Sequence, residues 1–489
     1  MNMLLKPLLP VLLFLLLTGC EKSSGIKPGL MAGDAFASYD LPQTEKYKDY
    51  EENPFIKAAD HPLSTFSVDA DGASYANMRR FTRLGQVPPK ASVRIEEYIN
   101  YFTYDYEEPK DGEKVAINAE MATCPWNTAH SLMRIGMKGL TVDETALPGS
   151  NYVFLIDVSG SMSSIDKLDV LKSGFKRMTD GLTSKDRVAI VTYAGNAGLL
   201  LASTPGSEKE KIKAAIDQLG AGGSTAGAAG INTAYEIAQQ HFIANGNNRI
   251  ILGTDGDFNV GISNTDDLVK LIEAKRKTGI YLTVLGVGTG NLNDHMMEQI
   301  ANKGNGNYEY IDNEKQLQKV FSFEKSRFHT VANDSKIQIA FNPEKVESYR
   351  LIGYENRALK DKDFDNDQTD AGEIGAGQTI TALYEVVLKT TAINDNIAVF
   401  NFKYKIPGTE SSRSLQLEIK TPPVTIAAAS GEMRFATAVT GWGLLMKQSA
   451  YKGNLNKQMI LELANNAISY DPYGFRKEFT EIVRNTSIK

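Results

Sequence analysis

Short oxygen-bearing side chains follow an apolar run in "YVFLIDVSGSM", residues 152–162. The carboxylate of Asp157 and the hydroxyls of Ser159 and Ser161 form the pattern D-x-S-x-S. A loop that brings these oxygens together could hold a hard metal ion. Asp and Ser also form ordinary helix caps and turns after a strand, and a lone D-x-S-x-S is more often a cap than a metal site.

Two further loops carry residues of the same kind. Thr225 follows a glycine pair in "AGGSTAGAAG", and Asp255 follows the apolar run "RIIL" in "LGTDGDFN". In a doubly wound parallel sheet, ligands bind outside the carboxyl ends of the strands. If these loops belong to such a sheet, we expect all three to converge at one edge. Their two carboxylates and three hydroxyls suit Mg²⁺, Mn²⁺ or Ca²⁺ and disfavour Zn²⁺ or Cu²⁺. This convergence favours a metal site over isolated helix caps.

The predicted cofactor is therefore a divalent cation, with Mg²⁺ preferred and Mn²⁺ or Ca²⁺ as alternatives. Mg²⁺ takes about six oxygen ligands and usually keeps water or accepts an outside anion. Such a shell stays open on one side. The open position is where an Asp or Glu of a partner protein would bind.

Strands and helices alternate strictly over residues 149–324, the segment that contains the three loops. Short continuous apolar runs such as "YVFLI" and "VAIVTYA" are typical of strands buried on both faces of a parallel sheet. This pattern predicts an α/β domain with a doubly wound, mostly parallel sheet. The expected helices lie at about 165–182, 208–219, 228–244, 265–278 and 293–303.

Period-two alternation predicts antiparallel strands on both sides of the α/β domain. Residues 55–148 are interpreted as an N-terminal module of helices and strands, residues 325–425 as a β-sandwich, and residues 426–489 as a helical segment. Because no linker-like sequence borders the α/β unit, one hypothesis inserts it into a single sandwich. The strands at 114–140 and those after residue 330 would complete that sandwich, and a flexibly linked domain would contradict the hypothesis.

The motifs "DVSGSM", "GGSTAG" and "TDGDFN" resemble the metal-ion-dependent adhesion site of von Willebrand factor type A domains. The resemblance implies that the hydroxyls are ligands, directly or through water, and that the aspartates hold ligating waters and offset the charge of the ion. The flanking motifs "RIEEYINYF", "LIGYENRAL" and "DPYGFRKEF" are similar to modules of bacterial type A domain lipoproteins. The residues implied at the cation are Asp157, Ser159, Ser161, Thr225 and Asp255.

The start of the chain is typical of an exported protein. Residues 1–19 contain Lys6 and the apolar run "LLPVLLFLLL", which at roughly 10 residues is too short to span a bilayer. The run ends in "LTGC", which resembles the bacterial lipobox and implies lipidation of Cys20. Residues 20–54 lack apolar periodicity and are interpreted as a tether. Glu21 favours the outer membrane under the enterobacterial sorting pattern, so the predicted location is the cell envelope.

The remaining signals exclude several functions. A formal net charge of −6 without a basic block argues against nucleic-acid binding. No H-E-x-x-H pair and no G-x-S-x-G elbow is present, so the chain is not expected to be an enzyme. The run "GVGTG" at residues 286–290 is interpreted as a turn at a strand end rather than a phosphate loop.

These observations predict a membrane-anchored binding protein, an adhesin or an assembly scaffold, that grips an acidic residue of another protein through its cation. Two alternatives remain open at this point. One is a structural envelope lipoprotein in which the metal only stabilises the fold. The other is a metal-assisted hydrolase, which the sequence supports less because it offers no general base beyond the two aspartates.

Overall fold

The secondary-structure elements of the computed structural model are numbered in chain order over the residues that it describes: 44–68, 71–194, 196–222, 227–256, 265–389, 396–409, 411–420 and 422–487. The α-helices are α1 (Ala73–Arg83), α2 (Ile95–Asn100), α3 (Leu168–Asp180), α4 (Lys209–Asp217), α5 (Gly227–Gln240), α6 (Thr265–Arg276), α7 (Asp294–Lys303), α8 (Glu314–Gln318), α9 (Gly431–Lys447), α10 (Lys457–Asn465) and α11 (Phe475–Asn485). The strands are β1 (Ile56–Lys57), β2 (Leu63–Ser67), β3 (Val115–Thr123), β4 (Ser131–Gly139), β5 (Ser150–Asp157), β6 (Arg187–Ala194), β7 (Asn196–Pro205), β8 (Asn247–Thr254), β9 (Tyr281–Val287), β10 (Tyr308–Ile311), β11 (Thr330–Phe341), β12 (Val346–Ile352), β13 (Gly372–Gly375), β14 (Thr379–Leu388), β15 (Ala398–Lys405) and β16 (Ser412–Ile419).

The strands of the α/β domain form one sheet in the order β10-β9-β8-β5-β6-β7. All neighbouring pairs are parallel except β6 with β7. Successive residues of β5 face opposite cores: Val153 and Leu155 lie in the core of α5, α6 and α7, and Phe154 and Ile156 lie in the core of α3 and α4. This two-faced burial explains the continuous apolar run. The predicted α/β fold class with a mostly parallel sheet is confirmed.

The edge strands of this sheet are less apparent from the sequence. Strand β7 pairs antiparallel with β6 through two register shifts, and β10 has only four residues. Neither strand stands out as a continuous apolar run of the kind that predicts the central strands. The helices, in contrast, begin and end within about four residues of the predicted bounds because their amphipathic spacing is local.

The antiparallel strands form two further sheets. One has the order β1-β12-β14-β4-β3, and the other has the order β13-β11-β15-β16 with β2 paired to β11. Strand β4 precedes the α/β domain and pairs with β14, which follows it, so that Ile135 lies opposite Ala382. Strand β2 pairs with β11 in the same way, with Phe66 opposite Ile337. Strands from both sides of the α/β domain therefore build one sandwich, as the insertion hypothesis requires.

A separate apolar core joins the N-terminal helices to the C-terminal helices. Cys124 is fully buried in this core, where it packs as a small apolar residue. Phe102 and Phe435 make an edge contact there with 4.9 Å between ring centroids. The core includes Tyr75 of α1, Tyr98 of α2, Trp442 of α9, Ile460 of α10 and Phe479 of α11.

Buried ion pairs join the α/β domain to these N-terminal helices. Arg79 of α1 lies 2.6 Å from Asp312, and Arg94, just before α2, donates to Asp294 of α7 at 3.1 Å. The four side chains are at most 5% exposed. Removing one partner of a buried pair typically costs about 3–5 kcal/mol, because the other charge stays buried alone. These pairs therefore hold the α/β domain in one orientation.

Residues 44–54 lie against the folded body, although the sequence pattern assigns them to the tether. The carboxylate of Glu45 pairs with Arg80 at 2.7 and 2.8 Å, and the amide of Lys46 donates to the carbonyl of Leu292 at 2.8 Å. Because polar contacts hold this segment in place, its sequence shows no apolar periodicity that would predict its packing. Cys20 and the predicted signal lie outside the described residues. In the part of the chain that the structure describes, we find no helix long and apolar enough to cross a membrane.

Glu298 of α7 is a buried carboxylate that links the α/β domain to the sandwich. It accepts hydrogen bonds from Asn302 at 2.7 Å and from Asn356 at 2.8 Å. Burial by itself would raise the pKa of Glu298, but the neighbouring His295, Arg357 and Arg94 side chains outweigh burial and lower that pKa from 4.5 to about 2. The ionised carboxylate therefore stabilises the folded chain.

We expect Glu298→Gln to lower the free energy of unfolding at pH 7 by about 2–3 kcal/mol. Because the pKa of Glu298 is lowered on folding, its contribution is complete above pH 4.5 and disappears as the pH falls towards about 2. Urea unfolding should show that the free energy of unfolding falls less steeply in the variant than in the wild type as the pH is lowered between these two values. The exposed Glu344→Gln serves as the control, and equal stability of Glu298→Gln and wild type at pH 7 would contradict the prediction.

Candidate metal centre

Asp157 is the last residue of β5 and its side chain is fully buried. One carboxylate oxygen accepts the amide hydrogen of Ser159 at 2.9 Å, and the other accepts the hydroxyl of Thr254 at 3.1 Å. Thr254 ends β8, the parallel neighbour of β5. The adjacent strand therefore fixes the orientation of this carboxylate.

The two serines of the D-x-S-x-S pattern lie side by side. Their hydroxyl oxygens are 3.0 Å apart, with Ser159 buried and Ser161 partly exposed. Ser161 lies in the 3-10 turn Gly160–Ser163 and Ser159 directly precedes it, while the fully buried Met162 anchors that turn in the core. Both hydroxyls therefore follow the carboxylate of Asp157 directly at the end of β5.

Asp255 directly follows β8 and is also fully buried. Its Oδ2 accepts hydrogen bonds from the ammonium of Lys167 and from the side-chain amide of Asn291, both at 3.0 Å. The chain then turns sharply at Gly256, whose φ is +89° and whose missing Cβ would lie 2.6 Å from the amide nitrogen of Asn293. Glycine is needed here because a side chain would meet both strain and a backbone atom.

Thr225, the predicted site residue of the second loop, lies outside the described residues. The structure does describe the start of that loop, where the amide of Gly222 donates to the carbonyl of Val158 at 2.8 Å. Helix α5, which begins at Gly227, packs on β5 and β6. The described part of the second loop therefore contacts the loop that carries Ser159.

Burial raises the pKa of Asp157 to about 6, and the negative charge of Asp255 adds to this rise, while hydrogen bonds from Ser159 and Thr254 oppose it. Two buried carboxylates close enough to repel each other favour a positive charge between or beside them. The donors are carboxylate and hydroxyl oxygens, so the residues present fit a hard divalent cation. Within the described ranges no three His, Cys, Asp or Glu side chains gather as a metal cage, so a cation here would depend on hydroxyl or water oxygens as well.

Three residues at this site are missing from the sequence-based prediction: Lys167, Thr254 and Asn291. Thr254 immediately precedes Asp255 and could have been noticed as part of the same polar loop. Lys167 stands at the start of α3, where a lysine is ordinarily solvated, and Asn291 stands more than 30 residues after Asp255. Only the folded chain shows that they contact the same carboxylate.

Family models match most of the described chain. The von Willebrand factor type A domain matches residues 151–323, and the family described as "Uncharacterized protein YfbK, C-terminal" matches residues 326–488. A third model, described as von Willebrand factor, matches residues 41–134. The α/β domain and both flanking regions are thus covered.

Similar proteins include "Uncharacterized protein YfbK" of Escherichia coli (strain K12), which is 41% identical over 469 residues, 90% of this chain and 81% of that protein. A UPF0353 protein of Mycolicibacterium vanbaalenii is 28% identical over 233 residues, 42% of this chain and 68% of that protein. Among solved structures, the type A protein from Catenulispora acidiphila has a TM-score of 0.45 at 15% identity, covering 78% of this chain and 91% of that chain. BatB from Bacteroides thetaiotaomicron has a TM-score of 0.32 at 25% identity, covering 37% and 98%.

The type A domain places the chain among proteins of the interaction or adhesion type. The similarity to YfbK extends the family relationship from the α/β domain to nearly the whole chain, because the alignment covers 90% of it. The chain therefore belongs to the family of bacterial von Willebrand factor type A domain proteins that includes YfbK of Escherichia coli.

Proposed function

We propose that this chain is a lipid-anchored protein of the bacterial cell envelope that binds an acidic residue of a partner protein through a divalent cation. The observation that supports this proposal most strongly is the meeting of Asp157, Ser159 and Asp255 at the carboxyl edge of one mostly parallel sheet. Ligands of doubly wound sheets bind at this edge.

The cation would be held by Asp157, Ser159, Ser161, Thr225 and Asp255, with Mg²⁺ preferred and Mn²⁺ or Ca²⁺ as alternatives. Such an ion supplies a point of positive charge that accepts a carboxylate oxygen from outside. The residues of the chain orient it: Thr254 and the amide of Ser159 hold Asp157, and Met162 anchors the turn of the serines. A binding role agrees with the type A domain and requires no reacting group.

Membrane attachment would come from acyl chains on Cys20. Each buried methylene contributes about 0.8 kcal/mol, and more than one chain is needed for stable anchoring. The lipobox-like "LTGC" supports this attachment, and Glu21 after Cys20 favours the outer membrane. The anchor would keep the binding domain at the membrane surface, close to envelope partners.

We expect Mg²⁺ to bind at one saturable site of the chain from residue 21 onward, as measured by isothermal titration calorimetry. Asp157→Ala and Thr225→Ala should each weaken binding by at least about 10- to 100-fold, since even residues that only support metal ligands have effects of that size. Ser163→Ala is the matched control, because Ser163 is an exposed serine of the same turn. A folded wild type that binds none of Mg²⁺, Mn²⁺ and Ca²⁺ would rule out the metal centre.

A partner protein should be captured from an envelope extract in the presence of Mg²⁺ and released by EDTA. Asp157→Ala should fail to capture it, because the cation that bridges the two proteins would be missing. Mass spectrometry of the eluate identifies the partner, and Ser163→Ala again serves as the control. Unchanged capture by a folded Asp157→Ala variant would instead mean that the cation only stabilises the fold.

Cys20→Ser should move the full chain from the membrane fraction to the soluble fraction of a bacterial host. The intact mass of the wild-type protein should exceed that of the chain from residue 20 by the mass of its acyl chains. Cys124→Ala is the control, since Cys124 is buried in the helical core and cannot carry a membrane anchor. Continued membrane association of Cys20→Ser would contradict lipid anchoring.

A further inference from the structure

Lys167 places a buried ammonium beside the candidate metal centre. Its Nζ donates to Oδ2 of Asp255 at 3.0 Å and to Oδ1 of Asn291 at 2.9 Å, and its side chain is 8% exposed. The side-chain amide nitrogen of Asn291 donates to the same oxygen of Asp255 at 3.0 Å. The three side chains form a closed triangle, so the ammonium is held in place on two sides and is not a solvated surface charge.

The Gly-rich run "GVGTG" makes room for this lysine. Gly288 has a φ of +77°, and a Cβ at this position would lie 2.4 Å from both Cγ and Cε of Lys167. The aliphatic part of the lysine thus occupies the volume that a side chain at residue 288 would fill. The hydroxyl of Tyr310 donates to the carbonyl of Gly288 at 2.8 Å and fixes the turn. The glycine-rich run therefore leaves the space in which the side chain of Lys167 packs.

The same loop is held from outside by the N-terminal segment. The amide of Gly290 donates to the carboxylate of Glu45 at 3.0 Å, and Glu45 is itself paired with Arg80 at 2.7 Å. The amide of Lys46 donates to the carbonyl of Leu292, next to Asn291. Contacts to the residue before Asn291 and to the residue after it therefore fix the position of Asn291. Asn291 in turn fixes the ammonium of Lys167.

We propose that Lys167 is an internal counter-cation of this site, which neutralises Asp255 in the metal-free protein and lowers the affinity for the divalent cation. This inference rests on the proposed metal-dependent function. Asp157, Asp255 and Lys167 together carry one net negative charge when all are ionised. When a divalent ion binds, the net charge of the site becomes +1. Without the lysine, the site with the ion bound would be neutral.

Two properties follow from this charge balance. The metal-free site remains folded, because the buried carboxylate of Asp255 keeps a partner when no ion is bound. The metal-loaded site keeps a positive charge, which attracts the carboxylate of a partner protein more strongly than a neutral site would. The lysine thus weakens binding of the ion alone and favours the complex that contains both the ion and an acidic ligand.

Lys167→Met tests this role, because methionine keeps an unbranched apolar side chain beside Gly288 and removes the charge. The measurements are Mg²⁺ affinity by calorimetry and the melting temperature in EDTA, on the chain from residue 21 onward, which retains every described residue. We expect Mg²⁺ to bind at least about tenfold more tightly to the variant, since a unit charge beside the ion is removed. We also expect the metal-free variant to melt at a lower temperature and Mg²⁺ to restore its stability.

Lys452→Met is the control, because Lys452 is exposed and lies in the C-terminal helical region. Lys167→Arg keeps the charge and should retain an affinity close to that of the wild type. If Lys167→Met does not fold in EDTA, Lys167→Gln provides the same comparison. Equal or weaker Mg²⁺ binding by a folded neutral variant, with binding intact in the wild type, would overturn the counter-cation role alone. Absence of Mg²⁺ binding in wild type and variants would overturn the proposed function and this inference together.

Discussion

The parallel pairing of β5 with β8 is the constraint on which the candidate site depends. Its register places Ile156 beside Gly253, so Asp157 comes next to Thr254, and Asp255 follows at the same edge of the sheet. Two carboxylates are thereby buried together, which is unfavourable in the absence of positive charge. Burial raises the pKa of Asp157 to about 6, and the charge of Asp255 contributes to the rise. The ammonium of Lys167 offsets part of this unfavourable burial, and the proposed cation would offset the rest.

The surroundings of the α/β domain keep that edge in a defined position. Strands from both sides of the domain pair within one sandwich, and buried arginines of the N-terminal region bind Asp294 and Asp312 of the domain. Ala73 and Ala76 of α1 also pack into the same core as the sheet. Since a buried charge tolerates little displacement from its partner, these contacts favour a fixed orientation over a flexibly linked domain.

The candidate site could be predicted in part because its signals are local. Asp157, Ser159 and Ser161 lie close together in the sequence, and Asp255 follows a strand that is recognisable by itself. Lys167 could not be found in this way, because nothing in the neighbouring residues distinguishes it from a solvated lysine at a helix start. Its burial depends on the missing side chain of Gly288 and on the amide of Asn291, both more than 100 residues away.

The sequence by itself determined the alternation of strands and helices, the α/β class, the two antiparallel regions and the loops that carry the oxygen ligands. Hydrophobic periodicity and turn residues encode these features over short stretches, wherever the rest of the chain lies. Only the tertiary structure decided that β4 pairs with β14, that Glu45 meets Arg80 and that Lys167 reaches Asp255. Such contacts join surfaces that exist only after distant segments have folded, so no local pattern records them.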